Sequence, residues 1–478
     1  MGEGLAPFDF SAELNEGTAI SDVDGRYRET VGQLANYFSE AALQRYRVFI
    51  ESNYLLALSK FGVTRKLSPE EAAHLDDMAL RFDYEDFKKV KQFEKETRHD
   101  VKAVEYFVKS KLLGSMADIK EMVHFGLTSE DITGNAMSLS LRDSRDEVML
   151  PAMLEVLEKV TDLAEKYKSA PMLARTHGQP ASPTTVGKEF ANVAYRLSNG
   201  IWKISEIRFP GKLNGATGNF NAHVATYPDV DWVTFSDMFI YHELGLEYVP
   251  CTTQILPHDE ASGYFREVLS LNKILEGFDQ DCWRYISDDW FKQKVNETET
   301  GSSTMPHKVN PIDFENSEGN LQASEDLLAF LADKQQISRL QRDLSGSTIT
   351  RKYGVALGYA LLGYKNLSKG LGKIEPNTVL MEEVVMSHPE LIAEPIQSIL
   401  RTKGYDKPYE ALKKLTRGRK VAAEEMTDFV KGLDVDAATK ERLLNLSPKT
   451  YTGVAEKITE KVVKRCRRTM QEVRCRLE

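Results

Sequence analysis

Proline and cysteine are both scarce in this chain, and basic residues are outnumbered by acidic ones. There are 17 prolines among 478 residues, below the usual share of about one in twenty. Proline breaks helices and central strands alike, so its scarcity leaves room for long uninterrupted elements. Four cysteines (Cys251, Cys282, Cys466 and Cys475) are too few for a disulfide framework, and none form a C-x-x-C pair. They read as free thiols of a reducing compartment. No run of 18 or more apolar residues occurs, so no membrane span is expected. The start, Met1-Gly2-Glu3-Gly4-Leu5-Ala6, has neither the basic nor the apolar region of a secretory signal, and Ala6 stands where a myristoylation motif carries Ser or Thr. The ending Arg474-Cys475-Arg476-Leu477-Glu478 is neither a prenylation box nor a peroxisomal tripeptide. A soluble cytoplasmic protein is the expectation. With 62 Lys and Arg against 72 Asp and Glu, the net charge is −10, which argues against a dedicated nucleic-acid binder. It leaves an anionic substrate open, because a pocket needs only local positive charge.

What is present is a globular composition, 41% hydrophobic and 28% charged, in a length that suggests about three units. The periodicity is helical nearly throughout. Met153, Leu157, Val160, Ala164 and Tyr167 advance by steps of four and three. Val186, Phe190, Val193, Leu197, Ile201 and Ile204 nearly do, as do Val268, Leu271, Leu275, Phe278, Cys282 and Tyr285. Such stripes predict helices lying nearly parallel in a bundle. Leu321 to Leu331 and Val355 to Leu371 also read as helices, and the best strand candidates lie near Tyr248–Ile255. Boundaries are read at 1–119, 120–373 and 374–478, with local breaks at Phe61-Gly62, Leu113-Gly114-Ser115 and Ile374-Glu375-Pro376-Asn377. The basic final helix candidate, 454–478, is either an anion or partner patch or a solvated face with i,i+4 pairs.

Five clusters concentrate reactive side chains. The first is Thr300-Gly301-Ser302-Ser303-Thr304-Met305-Pro306-His307-Lys308-Val309-Asn310-Pro311. Its Gly and Pro residues forbid a continuous helix, which predicts an exposed, mobile loop rich in hydrogen-bond donors. The second is Arg175-Thr176-His177-Gly178-Gln179-Pro180-Ala181-Ser182-Pro183, where His177 reads equally as a capping residue at the entry to the next helix. The third runs from Thr97 through Arg98, His99 and Asp100 to Tyr106. The fourth, His124-Phe125-Gly126-Leu127-Thr128-Ser129-Glu130-Asp131-Ile132, offers Thr128 or Ser129 as an N-cap. In the fifth, Gln341 to Arg351, two arginines bracket hydroxyls in a plausible phosphate cradle. His223 and His258 also lie in polar clusters, but no His pair has metal-ligand spacing, and there is no Gly-rich phosphate loop or dinucleotide fingerprint.

The first cluster resembles the signature loop of the fumarase/aspartase superfamily, G-S-S-x-M-P-x-K-x-N. Its continuation Ile312-Asp313-Phe314-Glu315-Asn316-Ser317-Glu318-Gly319-Asn320, with T-x-H-D-V-K-A-V-E-Y-F, H-F-x-x-T-S-E-D-I and R-T-H-G-Q-P-A-S-P, narrows the resemblance to the adenylosuccinate lyase family in its bacterial long-chain form. The likeness runs from Asp24-Gly25-Arg26-Tyr27 to about Tyr451. It implies an all-α, three-domain fold whose long central helices form one bundle with those of three other copies, in a homotetramer with active sites shared between chains. It implies release of fumarate from adenylosuccinate, giving AMP, and from succinylaminoimidazole-carboxamide ribotide (SAICAR), giving AICAR. The alternatives are another fumarate-releasing lyase, of argininosuccinate lyase or aspartase type, or a helical scaffold that has lost activity.

Such an elimination needs a base for a weak carbon acid, donors around the dianion that forms, and an acid for the departing nitrogen. By resemblance Ser302 is the base, with Ser303 its competitor, and His177 is the acid, oriented by Glu315. A serine this basic needs activation, for which Lys308, backbone N–H groups and loop closure are available. The resemblance puts Lys308 and Asn310 on the succinyl carboxylates and Arg26, Tyr27, Arg342, Ser347 and Arg351 at the phosphate and ribose, and makes Val309, Asn316 and Thr348 substrate-binding as well. Arg98, His99, Asp100, Thr128, Ser129 and Gln254 are further substrate-binding positions. Arg98 departs from the pattern, since long-chain relatives often carry Asn there. The reaction needs no redox or electron-sink cofactor, and neither a cofactor nor a metal is expected.

Overall fold

The computed structural model describes residues 18–294, 305, 307–418 and 421–478. Helices carry nearly all of the regular structure, and the strands among the described residues form only two-stranded pairings. The all-α class expected from the sequence is the one observed.

Five long helices make the centre: Leu150–Lys166, Val186–Glu206, Asp259–Ser287, Ile312–Gln335 and Tyr353–Lys373. Asp259–Ser287 packs along Ile312–Gln335, which packs along Tyr353–Lys373, while Leu150–Lys166 packs along Val186–Glu206. The stripes read from the sequence are their inner faces: Leu157, Val160, Val186, Ile201 and Cys282 are fully buried. Each such aliphatic side chain contributes about 1.5–3 kcal/mol relative to exposure, so these stripes set how the helices lie. A second apolar cluster, from Val48 to Val123, sits among the N-terminal helices, and a third, from Ile392 to Leu443, lies in the C-terminal segment.

The basic final helix, Ala455–Leu477, returns to the central bundle and packs on Val186–Glu206 and Leu150–Lys166. Val463, Cys466, Met470 and Val473 join the main core. Its charges meet acidic flanks: Arg467 pairs with Asp162 at 2.6 Å and Glu165 at 3.1 Å, Arg474 with Glu158 at 2.9 Å, and Arg476 with Glu206. Arg465 and Arg476 also lie over the rings of Tyr195 and Trp202. Exposed pairs contribute about 0–1 kcal/mol each, so the apolar stripe supplies most of the attachment and the charges set its register.

The second cluster differs from its helix-entry reading. Pro171–Thr176 and Gln179–Thr185 form an antiparallel hairpin with Thr176 opposite Gln179. The two-residue loop is His177-Gly178, with φ of 52° and 72°, the left-handed pair that a type I′ turn requires. Pro180 and Pro183 are tolerated because a two-stranded ribbon is all edge. The cap of the next helix is Thr185, whose hydroxyl accepts the Lys188 N–H at 3.2 Å. Of the Tyr248–Ile255 strand candidate, only Tyr248 is in a strand, Glu247–Tyr248, which pairs in parallel with Pro210–Gly211.

At the hairpin exit the chain presses Gly187 against the preceding helix. A Cβ there would lie 2.4 Å from the Ala164 carbonyl oxygen and 2.4 Å from the Lys168 Cα. Both are backbone atoms and cannot turn aside. Gly187→Ala is expected to destabilise the fold by about 1–3 kcal/mol, as overpacking does, read as a lower thermal midpoint; an unchanged midpoint would show that the helix end yields freely.

Candidate active site

A cavity of about 640 Å³ opens where four segments converge, and it gathers most of the nucleotide-end residues predicted from the sequence. Arg98 and His99 come from the junction of Tyr84–Thr97 with Asp100–Lys111, and Asp100 opens the second of these helices. Ser129 is the first residue of the Ser129–Ser144 helix. Arg342 lies in the loop after Ile312–Gln335, and Ser347 and Thr348 sit on the short Ser345–Thr350 helix, with Arg351 just beyond it.

His99 caps its helix, its Nδ1 accepting the Lys102 N–H at 3.2 Å. The neutral ring therefore carries its proton on Nε2 and offers that N–H to a ligand. Arg342 is fixed by three acceptors: the Ser129 hydroxyl at 2.9 Å, the Gln254 side-chain oxygen at 3.0 Å and Glu130 at 2.9 Å. Burial pushes the Glu130 carboxyl up, and Arg342 offsets this only in part. Burial would raise Asp100 as well, but the Arg47 guanidinium 2.9 Å away outweighs it and holds Asp100 below the usual carboxylate range. The arginines thus rest on carboxylates that an anionic ligand has to replace.

Behind this wall stands a buried ion pair. Asp131 and Lys212 are 2.8 Å apart, with both side chains wholly excluded from solvent. Asp131 also accepts the backbone N–H groups of Thr128, Asn214 and Gly215 at 2.9–3.1 Å. Lys212 donates to the Gln254 carbonyl at 2.8 Å. Four to five bonds on two buried charges meet the condition under which such a pair is tolerated. The pair ties the Thr128 N-cap to the segment that aims Gln254 at Arg342. Thr128 and Gln254 therefore stand behind the cavity wall.

The remaining predicted residues lie elsewhere. Gln336 donates to Asp259 at 3.2 Å, which places the loop bearing Arg342 at the start of the Asp259–Ser287 helix. Trp283, near the end of that helix, donates to Glu315 at 3.0 Å. Gln293 donates to the Val309 carbonyl at 3.1 Å. Phe190 packs on Phe278 and Arg175 covers the Trp290 ring, so the His177 hairpin belongs to this far end too. At 1.5 Å per residue, that helix separates the two groups by roughly 40 Å. Lys308, Val309, Glu315, Asn316 and His177 are exposed there, and Asn310 is half-buried. No hydrogen bond or ion pair joins Glu315 to His177 within the chain, so the expected orienting contact is not made inside one protomer. Arg26 and Tyr27 do not line the cavity: Asp22 accepts the Tyr359 hydroxyl, which sets their turn beside Tyr353–Lys373. Ser302 and Ser303 fall outside the described residues.

Two lining groups escape a motif reading. Arg47 carried a signal, because it interrupts the apolar series Leu43, Ile50 and Tyr54 on one helix face. Glu130 is masked by its place in a capping sequence. His223 is a core residue, caged by Phe125, Phe220 and Trp232 with Nε2 3.2 Å from the Tyr54 hydroxyl. His258 precedes the Asp259–Ser287 helix.

A model of the family described as "Lyase" matches residues 25–323, and one described as "Adenylosuccinate lyase C-terminal" matches residues 338–452. The chain is 45% identical over 455 residues to the adenylosuccinate lyase of Haemophilus influenzae, covering 94% of this chain and all of that one. It is 46% identical over 448 residues to that of Escherichia coli K12, covering 93% and 98%. Among solved structures it resembles a 3-carboxy-cis,cis-muconate lactonizing enzyme from Pseudomonas putida, with a TM-score of 0.73 at 17% identity over 93% of this chain and 99% of that one. A fumarate lyase from Mesorhizobium matches at TM-score 0.72, again at 17% identity, over 91% and 98%. At that identity the structural likeness speaks for the fold alone.

Two predictions follow from the local chemistry. Arg98 caps its helix at φ 54° and ψ 31°, a left-handed conformation that Asn tolerates better than Arg. Arg98→Asn should therefore stabilise by about 0.5–1 kcal/mol in chemical denaturation, and a loss would mean that the Arg98 side chain supports the fold. Burial lowers both His223 and His258 to about 4. Each folded-state value lies below the ordinary histidine value, so the unfolded chain binds more protons between roughly pH 6.5 and 4. Stability should fall across that window as pH drops, and His223→Leu should flatten the slope; an unaltered slope would exclude His223 as its source.

Proposed function

Because the chain belongs to the adenylosuccinate lyase family and is a carbon–nitrogen lyase, we propose that it eliminates fumarate from adenylosuccinate, giving AMP, and from SAICAR, giving AICAR. The observation that carries this reading is the cavity itself, where Arg98, His99, Ser129, Arg342, Ser347, Thr348 and Arg351 converge. It has the arginines and hydroxyls to hold a phosphate and the His99 N–H to engage a ring, with Gln254 holding Arg342 from behind. Ser302 removes the proton next to a succinyl carboxylate, and His177 protonates the departing nitrogen. Lys308, Val309, Asn310 and Asn316 hold the succinyl carboxylates, whose second negative charge develops as the proton leaves. Lys308 close to that dianion lowers the barrier, because its charge interacts more strongly with the transition state than with the substrate.

The roughly 40 Å between the nucleotide cavity and the far-end group supports a site completed by other copies of the chain. We place this in a homotetramer, where each active site draws residues from three protomers. The exposure of His177, Lys308 and Glu315 on a single chain fits donation to a neighbour. Four free thiols fit a reducing, cytoplasmic location.

Fumarate release, followed by ultraviolet absorbance from adenylosuccinate, argininosuccinate and aspartate, tests the reaction; turnover of another substrate with none of adenylosuccinate would sink it. Ser302→Ala and His177→Ala should each cost about 10²–10⁴-fold in kcat. If Ser303→Ala is the inactive one, the base is Ser303. Mixing the inactive Ser302→Ala and His177→Ala proteins under exchange should restore part of the activity, and exchanged oligomers that stay inactive would refute a site shared between chains.

A further inference from the structure

We propose that Arg47, buried behind the cavity, is a positioning residue that cancels the charge of Asp100 and so leaves Arg351 able to exchange a carboxylate for the substrate's phosphate. This rests on reading the cavity as the nucleotide end of the site.

Arg47 is 2% exposed. Its Nη1 donates to the Gln44 side-chain oxygen at 3.3 Å, and its Nη2 donates to the Thr133 hydroxyl at 3.0 Å and Asp100 at 2.9 Å. Its Nε, also buried, has no acceptor. A guanidinium with an unpaired buried N–H is an expensive way to fill space. Leu43, Ile50 and Tyr54 fill the same helix face without that cost. What Arg47 adds is positive charge, in direct contact with the Asp100 carboxylate and at longer range from Glu130.

Asp100 Oδ2 stands between two guanidinium groups, with Arg47 at 2.9 Å and Arg351 at 3.9 Å. Its Oδ1 takes the Val101 N–H at 2.9 Å. Arg351 is half exposed and is also held by Glu40, the first residue of the Glu40–Lys60 helix. The four charged groups form a neutral set, two arginines with two carboxylates. The nearer and buried Arg47 claims Asp100, so Arg351 answers mainly to Glu40 at the rim. Without Arg47, Asp100 and Glu40 would share one guanidinium and carry a net negative charge where a phosphate has to enter. Attraction between groups this close to a low-dielectric wall is strong enough to bias which anion Arg351 takes. Arg47 touches no reacting atom in this scheme and acts on the ligand only through Asp100 and Arg351.

The test uses the full-length enzyme, steady-state fumarate release from adenylosuccinate, and inorganic phosphate as a competitive probe. Arg47→Met should raise KM and the phosphate inhibition constant together by about tenfold or more, the effect of one uncompensated charge, with kcat within about threefold of wild type. Arg47→Lys, which keeps the charge and loses the fork, should stay within about threefold in KM. Arg47→Met combined with Glu40→Gln removes the surplus negative charge and should recover most of the phosphate affinity, which a merely structural role for Arg47 would not produce. An Arg47→Met enzyme with unaltered KM and phosphate inhibition overturns the proposal. So does a double variant no better than Arg47→Met, or an Arg47→Lys enzyme impaired tenfold, the measurement that stands if Arg47→Met does not fold. Wild-type enzyme releasing no fumarate from adenylosuccinate would instead defeat the functional reading on which the proposal rests.

Discussion

A straight α-helix advances 1.5 Å per residue, and the 29 residues of Asp259–Ser287 cannot be folded back on themselves without a break. This rigidity governs the rest of the molecule. The helix holds the start of its bundle, with Asp259 and the loop of Arg342, far from its end, with Trp283, Glu315 and the His177 hairpin. Neither end can approach the other within one chain. Chemical groups are partitioned between the ends, arginines and hydroxyls at one and the hairpin histidine and signature lysine at the other, and this partition is what the proposal of a site shared between copies rests on. Low proline content is what allows the rod, since a proline inside it would remove a hydrogen bond and kink the axis.

The net negative charge and an arginine-rich cavity coexist because charge is sorted locally. At the cavity three arginines rest on acidic partners: Arg47 on Asp100, Arg342 on Glu130, Arg351 on Glu40. Behind them the Asp131–Lys212 pair, saturated with hydrogen bonds, ties the 128–131 turn to the segments at 212–215 and 254. This is a pre-organised wall, so less ordering remains to be done when a ligand binds. Along the final helix the same sorting acts on a larger scale, where arginines face Asp162, Glu165 and Glu158 of the bundle.

The long helices were legible because their apolar spacing is a local property: Met153 to Tyr167 and Val186 to Ile204 name their own inner faces. The hairpin was not, because Pro180 and Pro183 interrupt strand alternation and His-Gly is an uncommon turn pair beside Asn-Gly. His177 looked like a cap because the helix does begin a few residues later, at Val186. The final helix showed its basic composition but not its acidic partners, which lie about 300 residues earlier. Within the candidate site, Ser129, Arg342, Ser347 and Arg351 were found by motif, whereas Arg47 left only a break in an apolar stripe and Glu130 took its meaning from Arg342.

The sequence by itself determined the helical class and the inner faces of the bundle, because these depend on neighbours within a few turns of the chain, and its motifs named the candidate reacting groups by resemblance. Only the tertiary structure decided which of those groups meet. It drew residues 98–100, 129, 342, 347, 348 and 351 into one cavity and sent residues 177 and 308–316 to the other end of a rigid rod. Contacts across such separations arise from packing and buried ion pairs, which no local pattern records.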